Sequence, residues 1–440
     1  MRSAAAFDSM SSPSSPDPDS SSSGSPLFFL LMIALLLAVW GLISDVIHTG
    51  GGGSIDLRNR ITGVRVASAH QDPYTYKWRQ ADGTRLLDPF AYPSSPVSHT
   101  TVTPATLTLF LPFQDLNYRV TQWLWLGVQY AALGLGFLAW LKSTDRANWA
   151  WGGLLTCLYC LTPHWRLHVD RGQSYVLYAA LLLVMMNAGR SAGKRGPWVE
   201  GLTGSLLTML RPNFGVLLGV SAARRRKVPI LAAGAGLAVW ALLPVLLAGT
   251  AIWKQYFAAM AIHARQYLDR VQFPPARFSQ KEVIEGIPID TFLSFPGIPF
   301  TDTSIYRLIS FQLPPNALLI GWAVLAAGAG WLMMRRDGAG SARFQWGVSA
   351  WIYVGDYLLP AYRYNYNHIL LWPVLLLGLT ALEGTARKVW MGLAAGILIL
   401  HTATWWLPKA CLPWPGVVAL LLAVGVAVMT ALTSRKAAAG

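Results

Sequence analysis

Long apolar runs separated by short polar connections recur along the whole chain. The apolar residues are continuous within each run instead of alternating, which predicts helices and not the strands of a barrel. The runs lie at 27–44, 119–141, 148–163, 173–187, 229–249, 315–334, 344–361, 367–383, 388–406 and 413–433. A bilayer core needs about 20 apolar residues per crossing helix. With two shorter pieces at 101–113 and 199–222, the pattern predicts an all-α, polytopic membrane bundle of about 10–12 transmembrane helices.

Composition supports a membrane protein. Of the 440 residues, 54% are hydrophobic and 12% are charged, against about a quarter charged in ordinary soluble domains. The net charge of +15 is dispersed in short basic clusters between the runs. This spacing indicates cytoplasmic connections and not a nucleic-acid surface, so we expect no nucleic-acid partner. The clusters are Arg190/Lys194/Arg195, Arg224–Lys227, Arg335/Arg336/Arg343, Arg387/Lys388 and Arg435/Lys436.

Placing all of these basic clusters on the cytoplasmic side gives a path of the chain through the membrane. This path predicts the domain organisation. Residues 1–26, rich in Ser, Pro and Asp, form a disordered cytoplasmic tail. Residues 27–433 form one transmembrane domain, and 434–440 form a second cytoplasmic tail. Two long loops, 45–100 and 250–314, are placed on the outer face. This path requires 199–222 to enter and leave the membrane on the cytoplasmic side as two half-length helices. It requires 101–113 to do the same on the outer side. We expect a multi-pass protein of a bacterial plasma membrane.

Polar residues gather at five places, nearly all on the predicted outer side. Charged groups near the apolar layer are costly, so those that remain mark a substrate path or a structural pair. The places are the loop 54–92, the turn 163–175, the Arg-Pro break within 209–214, the loop 253–315 and the turn 360–373. Cys157 and Cys160 have CxxC spacing but no partner pair or clustered His, so they and Cys411 are expected to be packing residues, and no metal or cofactor is predicted.

Single residues in these places leave two interpretations open. Asp56 follows the first run and fits either a catalytic carboxylate or a helix N-cap. His368 fits an active-site group or an interfacial histidine, and Arg211 fits a phosphate ligand or a snorkelling side chain. The order of the features favours an enzyme, because a transporter more often shows repeated halves and polar groups at mid-membrane depth.

Several short motifs occur in an order typical of one family. They are Asp56 followed by Asp-Pro-Tyr (72–74), TVTPATLTLFLPF (101–113), Gly172-Gln173 opening a run, Arg211-Pro212 before RRRK (224–227), and YNYNHILLWP (364–373). In these motifs the chain resembles family 87 glycosyltransferases of the GT-C fold, which are related to mannosyltransferases that use polyprenyl-phosphate sugars. The resemblance covers about 45–375. It departs at Arg211, where the family usually has Lys, and at Leu57, where it often has an aromatic residue.

The resemblance implies transfer of a hexose, mannose first among the candidates, from a polyprenyl-phosphate sugar to a hydroxyl acceptor, lipid or glycan, on the outer face. One displacement would invert the anomeric carbon. The expected catalytic residues are Asp56, as general base, and His368. The expected phosphate ligands are Arg211, Arg171, Arg166 and Gln173. Further substrate-loop candidates are Asp72, Tyr74, His168, Arg363 and Asn367.

Two other functions remain open at this point. A transporter of lipid-linked oligosaccharide also needs basic groups near a lipid phosphate, and it would tolerate Asp56→Asn. A glycan polymerase or ligase would transfer many sugars at once from a lipid diphosphate. The proline-rich loop 250–314 is expected to contribute to the choice of acceptor.

Overall fold

The computed structural model describes residues 26–51, 54–76, 78, 80–89, 100–191, 193–223, 226–268, 314–338, 341–359, 365–403 and 425. Within these ranges the chain is all-helical, with no strands. Residues 1–25 and 434–440 of the predicted tails, most of the loop 250–314, the run 413–433 except for residue 425, and the candidate Arg363 lie outside the described residues.

Fifteen α-helices are described, and the described part of every predicted run from 27–44 to 388–406 lies mainly on helical structure. They are α1 Pro26–Gly50, α2 Ile55–Ser68, α3 Pro104–Leu109, α4 Tyr118–Leu141, α5 Trp149–Cys160, α6 Pro163–Arg171, α7 Tyr175–Arg190, α8 Gly196–Leu210, α9 Val216–Ala223, α10 Lys227–Ala248, α11 Ile252–Leu268, α12 Pro315–Asp337, α13 Ala342–Tyr357, α14 Leu371–Ala381 and α15 Gly384–Ala403. Short 3-10 turns precede α9, at Pro212–Gly215, and α14, at Asn365–Leu370.

In the part of the chain that is described, three helices are long and apolar enough to cross a membrane: α1, α4 and α10. A fourth crossing is counted if α6 and α7, which meet at 113°, form one broken span. The chain is therefore a multi-pass membrane protein. The larger number of spans expected from the sequence depends on the shorter helices and stays a prediction.

The two short pieces at 199–222 and 101–113 both contain short helices; that each enters and leaves on one side of the membrane stays a prediction. Proline at 212 forces Arg211 into an extended conformation, with φ −151° and ψ 101°, and ends α8 there. The chain then returns through α9, so that Ser221 and Arg226 both reach Glu200 near the start of α8, at 3.1 and 3.0 Å. The other piece forms α3 and a 3-10 turn at Leu111–Phe113.

The bundle has two chemically different ends, and α4 runs between them. At its start Tyr118 Oη donates to Ser54 O at 2.7 Å, two residues before Asp56. After its end Ser143 O accepts from Arg190 Nη1 at 2.8 Å. Because 24 residues of helix span about 36 Å, the Asp56 end and the Arg190 end lie on opposite sides of the bundle. The orientation of these ends in the cell stays a prediction.

The apolar core lies among α4, α5, α7, α13 and α14. Trp140 is fully buried and donates from Nε1 to Leu376 O at 2.9 Å, which satisfies its polar atom inside the core. At Gly136 an added Cβ would lie 2.9 Å from Ala180 Cα, so α4 and α7 approach through small residues, as membrane helices commonly do. This rigid contact fixes the start of α7, where the polar residues of the candidate site gather.

Candidate active site

The turn between α6 and α7 is pressed against the start of α2. Gly172 has φ +64°, in the left-handed region that glycine adopts at little cost. A Cβ at this position would lie 2.8 Å from Leu57 Cβ and 3.1 Å from Ser54 Cβ. Gly172 O accepts hydrogen bonds from Arg60 Nη1 at 2.8 Å and from Trp125 Nε1 at 3.0 Å. Glycine therefore allows both the backbone conformation and the contact that brings its two neighbours to α2.

These neighbours, Arg171 and Gln173, both bind the Asp56 carboxylate. Arg171 Nη1 lies 3.3 and 3.4 Å from the two carboxylate oxygens, and Gln173 Nε2 donates to Asp56 Oδ2. Arg60 donates in turn to Gln173 Oε1, which fixes the orientation of that amide. Asp56 lies in the first turn of α2, where the helix dipole favours a negative charge. Its side chain remains 18% exposed, so the carboxylate is held firmly and is still accessible.

A second polar cluster surrounds Arg211 at the break after α8. Its guanidinium forms an ion pair with Asp356 of α13, with Nε 2.8 Å from Oδ1, and Asn213 Nδ2 reaches the same oxygen at 3.1 Å. Arg211 Nη1 also donates to Tyr175 Oη at 2.6 Å, and Asn367 Nδ2 donates to that hydroxyl at 2.8 Å. Asp356 is fully buried, so Arg211 balances a charge that would otherwise be very costly there.

Aromatic rings join the two clusters into one site. The Tyr366 ring centroid lies 6.0 Å from the Arg171 guanidinium carbon and 5.8 Å from the Tyr175 ring centroid. The Arg211 guanidinium carbon lies 4.6 Å from the same Tyr175 ring, within the range of a cation–π contact. The segment 171–175 therefore supplies Arg171, Gln173 and Tyr175 to one surface at a break in a span. Discontinuous membrane helices commonly form ligand sites at such breaks.

His368 lies in a buried aromatic cluster and has no described contact with Asp56 or Arg211. Its Nδ1 is 2.5 Å from Tyr353 Oη, and its ring stacks on Tyr357 at 4.8 Å. His164 lies on its other side, at 4.6 Å between ring centroids, and pairs with His401 at 2.8 Å. These contacts hold the 365–370 turn on α13. Two neighbours of His368 in this turn, Tyr366 and Asn367, reach the site.

Two further predicted residues lie in the neighbouring structure. Arg166 pairs with Asp45 of α1, with Nε 3.0 Å from Oδ1, and also contacts Gly41 O and Ser44 Oγ. This places it against α1 and apart from Arg171. His168 is fully buried, and its Nε2 accepts from Val176 N at 3.1 Å, which satisfies a free amide at the start of α7.

Asp72 and Tyr74 shape the loop that follows α2. The Asp72 carboxylate accepts from Tyr74 N at 2.9 Å and from Thr75 Oγ1 at 2.6 Å, as in an Asx turn. Tyr74 Oη donates to Val102 O at 3.1 Å, and burial raises the pKa of this phenol well above its ordinary value. The Asp72 contacts fix the turn itself, and the Tyr74 contact holds the loop against the chain just before α3.

Asp356, Tyr175 and Arg60 are not among the site residues expected from the sequence. Asp356 was detectable, because an acid inside an apolar run is costly and usually has a partner or a function. The sequence alone does not distinguish Tyr175 from the other tyrosines beside the apolar runs. Among the described residues, no group of three or more His, Cys, Asp or Glu is arranged to hold a metal ion, and metal-independent chemistry stays a prediction.

The site thus combines one partly exposed carboxylate with two guanidinium groups at a break in a membrane bundle. Such an arrangement can accept a proton and bind an anionic phosphate in one place. No curated protein and no solved structure matches the chain. The family model of glycosyltransferase family 87 matches residues 101–336, which is more than half of the chain and includes Arg171, Gln173 and Arg211. The chain therefore belongs to glycosyltransferase family 87 and is a membrane glycosyltransferase.

Proposed function

We propose that the protein transfers a hexose, with mannose the first to test, from a polyprenyl-phosphate sugar to a hydroxyl acceptor on a lipid or glycan. The observation that carries this proposal is the Asp56 carboxylate, held by Arg171 and Gln173 and joined through Tyr366 and Tyr175 to Arg211. The reaction takes place at the Asp56 end of the bundle, which we assign to the outer face of the membrane.

Asp56 acts as the general base in this proposal. The acceptor oxygen attacks the anomeric carbon as its proton passes to the carboxylate, and the bond from that carbon to the phosphate oxygen breaks. The phosphate leaves with the bonding electrons and remains on the lipid. A single displacement inverts the anomeric configuration. A positioned base of this kind contributes about 10²- to 10⁴-fold to a rate.

Arg171 and Arg211 bind the lipid phosphate and stabilise the charge that develops on it. Preorganised cations do this most effectively where water is excluded, and the Arg211 and Arg171 side chains are only 15% and 11% exposed. Because Arg171 also pairs with Asp56, binding of the donor phosphate changes the state of the base. When a donor phosphate engages the guanidinium, it competes with the carboxylate, which is then freer to accept the proton. Asp356 orients Arg211 through their ion pair, and this pair does not have to break when the donor phosphate binds.

The test is transfer of radiolabelled sugar from polyprenyl-phosphate mannose, glucose and arabinose by membranes containing the wild-type protein or Asp56→Asn, at matched expression. Asp115→Asn is the control, because Asp115 is 65% exposed and pairs on the surface with Arg85. We expect the wild type and Asp115→Asn to transfer one sugar per acceptor, and Asp56→Asn to lose at least about 100-fold.

Three outcomes would change the proposal. Full activity of Asp56→Asn, with loss in Asp72→Asn, would move the base to Asp72. A product extended by many sugars from a lipid diphosphate would indicate a polymerase or ligase. Binding of polyprenyl phosphate with no consumption of any of the three donors would remove the assignment of donor class.

A further inference from the structure

An apolar groove opens on the side of the bundle away from the candidate active site. It has a volume of about 650 Å³ and is formed by α1, α5 and α15. Its lining includes Leu37 of α1 and Ile399 of α15, whose side chains are 44% and 59% exposed, so the groove faces the surroundings of the bundle. Among its described lining residues Lys388 is the single charged one.

Lys388 marks one end of the groove. Ile399 follows Lys388 by eleven residues of helix, so the lining of α15 extends about 16 Å along the helix axis from the position of Lys388. The preceding residue, Arg387, donates from Nη1 to Asn148 Oδ1 at 3.0 Å, which places this end at the start of α5. It is the end of the bundle that also carries Arg190, opposite to Asp56.

The surroundings of Lys388 are basic. The two adjoining segments, 142–148 and 383–388, contain the basic residues Lys142, Arg146, Arg387 and Lys388 and the acidic residues Asp145 and Glu383. Trp149, 42% exposed and 5.8 Å from the Arg146 guanidinium carbon, is typical of the membrane–water boundary. Basic groups at this boundary attract anionic lipid head groups.

We propose that the groove binds an anionic phospholipid, with one acyl chain against α1, α5 and α15 and the phosphate at Lys388. The apolar surface of the groove is long enough for an acyl chain, and the groove opens to the side of the bundle. Its single described cation lies at the membrane boundary, where a lipid phosphate would lie. These features match this one class of ligand. The sugar donor is a different lipid, because its phosphate is assigned to Arg171 and Arg211 at the other end of the bundle. The lipid site therefore does not depend on the proposed function.

The experiment measures retained lipid on the full-length protein by native mass spectrometry, after equal addition of phosphatidylglycerol and phosphatidylcholine. We expect the wild type to retain more phosphatidylglycerol. Lys388→Ala should lower this preference about fivefold, the effect of one basic residue near an anionic surface. Lys142→Ala removes the same charge at the same end without touching the groove, and should lower the preference less than Lys388→Ala does.

A second pair of variants tests the acyl-chain part. A Cβ at Gly392 or at Gly396 would meet no atom within 4 Å, and of the two only Gly392 lines the groove. We therefore expect Gly392→Leu to fold, to fill the groove and to retain less of both lipids than Gly396→Leu. Equal retention by the two glycine variants would overturn the proposal and indicate that something else fills the groove. Equal lipid preference in Lys388→Ala and Lys142→Ala would overturn the assignment of the phosphate to Lys388.

Discussion

Replacing Gly172 with alanine tests how closely the candidate active site depends on the α6–α7 turn. The added Cβ would lie 2.8 Å from Leu57 Cβ, about 0.7 Å short of the separation at which carbon atoms pack favourably. The turn must therefore move away from α2, taking Arg171 and Gln173 with it. A misplacement of about 1 Å can cost about 100-fold in rate, and we expect Gly172→Ala to lose between about 10- and 100-fold in sugar transfer.

Alanine at a left-handed position also costs about 1–2 kcal/mol of stability, which must be separated from the effect on the site. Gly249 provides the control for stability, because its φ +88° and ψ 171° also disfavour alanine and an added Cβ there would meet nothing within 4 Å. Gly249→Ala should show a lower melting temperature and normal transfer per folded molecule. If Gly172→Ala transfers sugar as fast as Gly249→Ala at equal folded concentration, the contact with α2 does not position the site and the reasoning is wrong.

The remaining predictions concern the charges and the buried turn. Asp356→Leu should destabilise the protein by about 3–5 kcal/mol because it leaves Arg211 buried without its carboxylate; adding Arg211→Met should restore the melting temperature but not transfer. Arg171→Lys should keep a charge but lose the planar fork, which we expect to raise the KM for the donor several-fold. Tyr175→Phe removes the oxygen shared by Arg211 and Asn367, and should lower kcat with little change in melting temperature. If His368 positions Asn367, then His368→Ala should mainly lower stability, measured by thermal unfolding, and an unchanged melting temperature with lost kcat would favour a direct catalytic part.

The helices were the most predictable part of the molecule, for a local reason. A run of about 20 apolar residues satisfies its backbone internally as a helix in a bilayer, and α1, α4 and α10 follow such runs closely. The Arg211-Pro212 break was also predictable, because proline removes a hydrogen-bond donor and ends α8. The number of membrane spans was harder to predict. Helices α5 and α8 overlap predicted apolar segments but have only 12 and 15 residues, fewer than the roughly 20 that a crossing helix needs.

Individual residues of the candidate site were predictable from the sequence, but their spatial arrangement was not. Asp56, Arg171, Gln173 and Arg211 were named from the sequence, and the structure brings them to one surface. Arg166 was named with them, yet it pairs with Asp45 on α1. Nothing in the sequence around the two arginines of α6 separates them. They differ in the direction in which each side chain leaves the helix, and the packing of α6 between α1 and α2 decides that.

The sequence by itself determined that this is a helical membrane protein, where its helices break, and which motifs it shares with family 87. Tertiary structure alone decided the partners of each charge. Asp56 and Arg171 are 115 residues apart, and Arg211 and Asp356 are 145 residues apart. Helix formation depends on neighbouring residues, so a local pattern reports it. An ion pair between distant segments depends on how whole helices pack, and the contacts that fix this packing, such as Gly172 against Leu57, leave no periodic trace in the sequence.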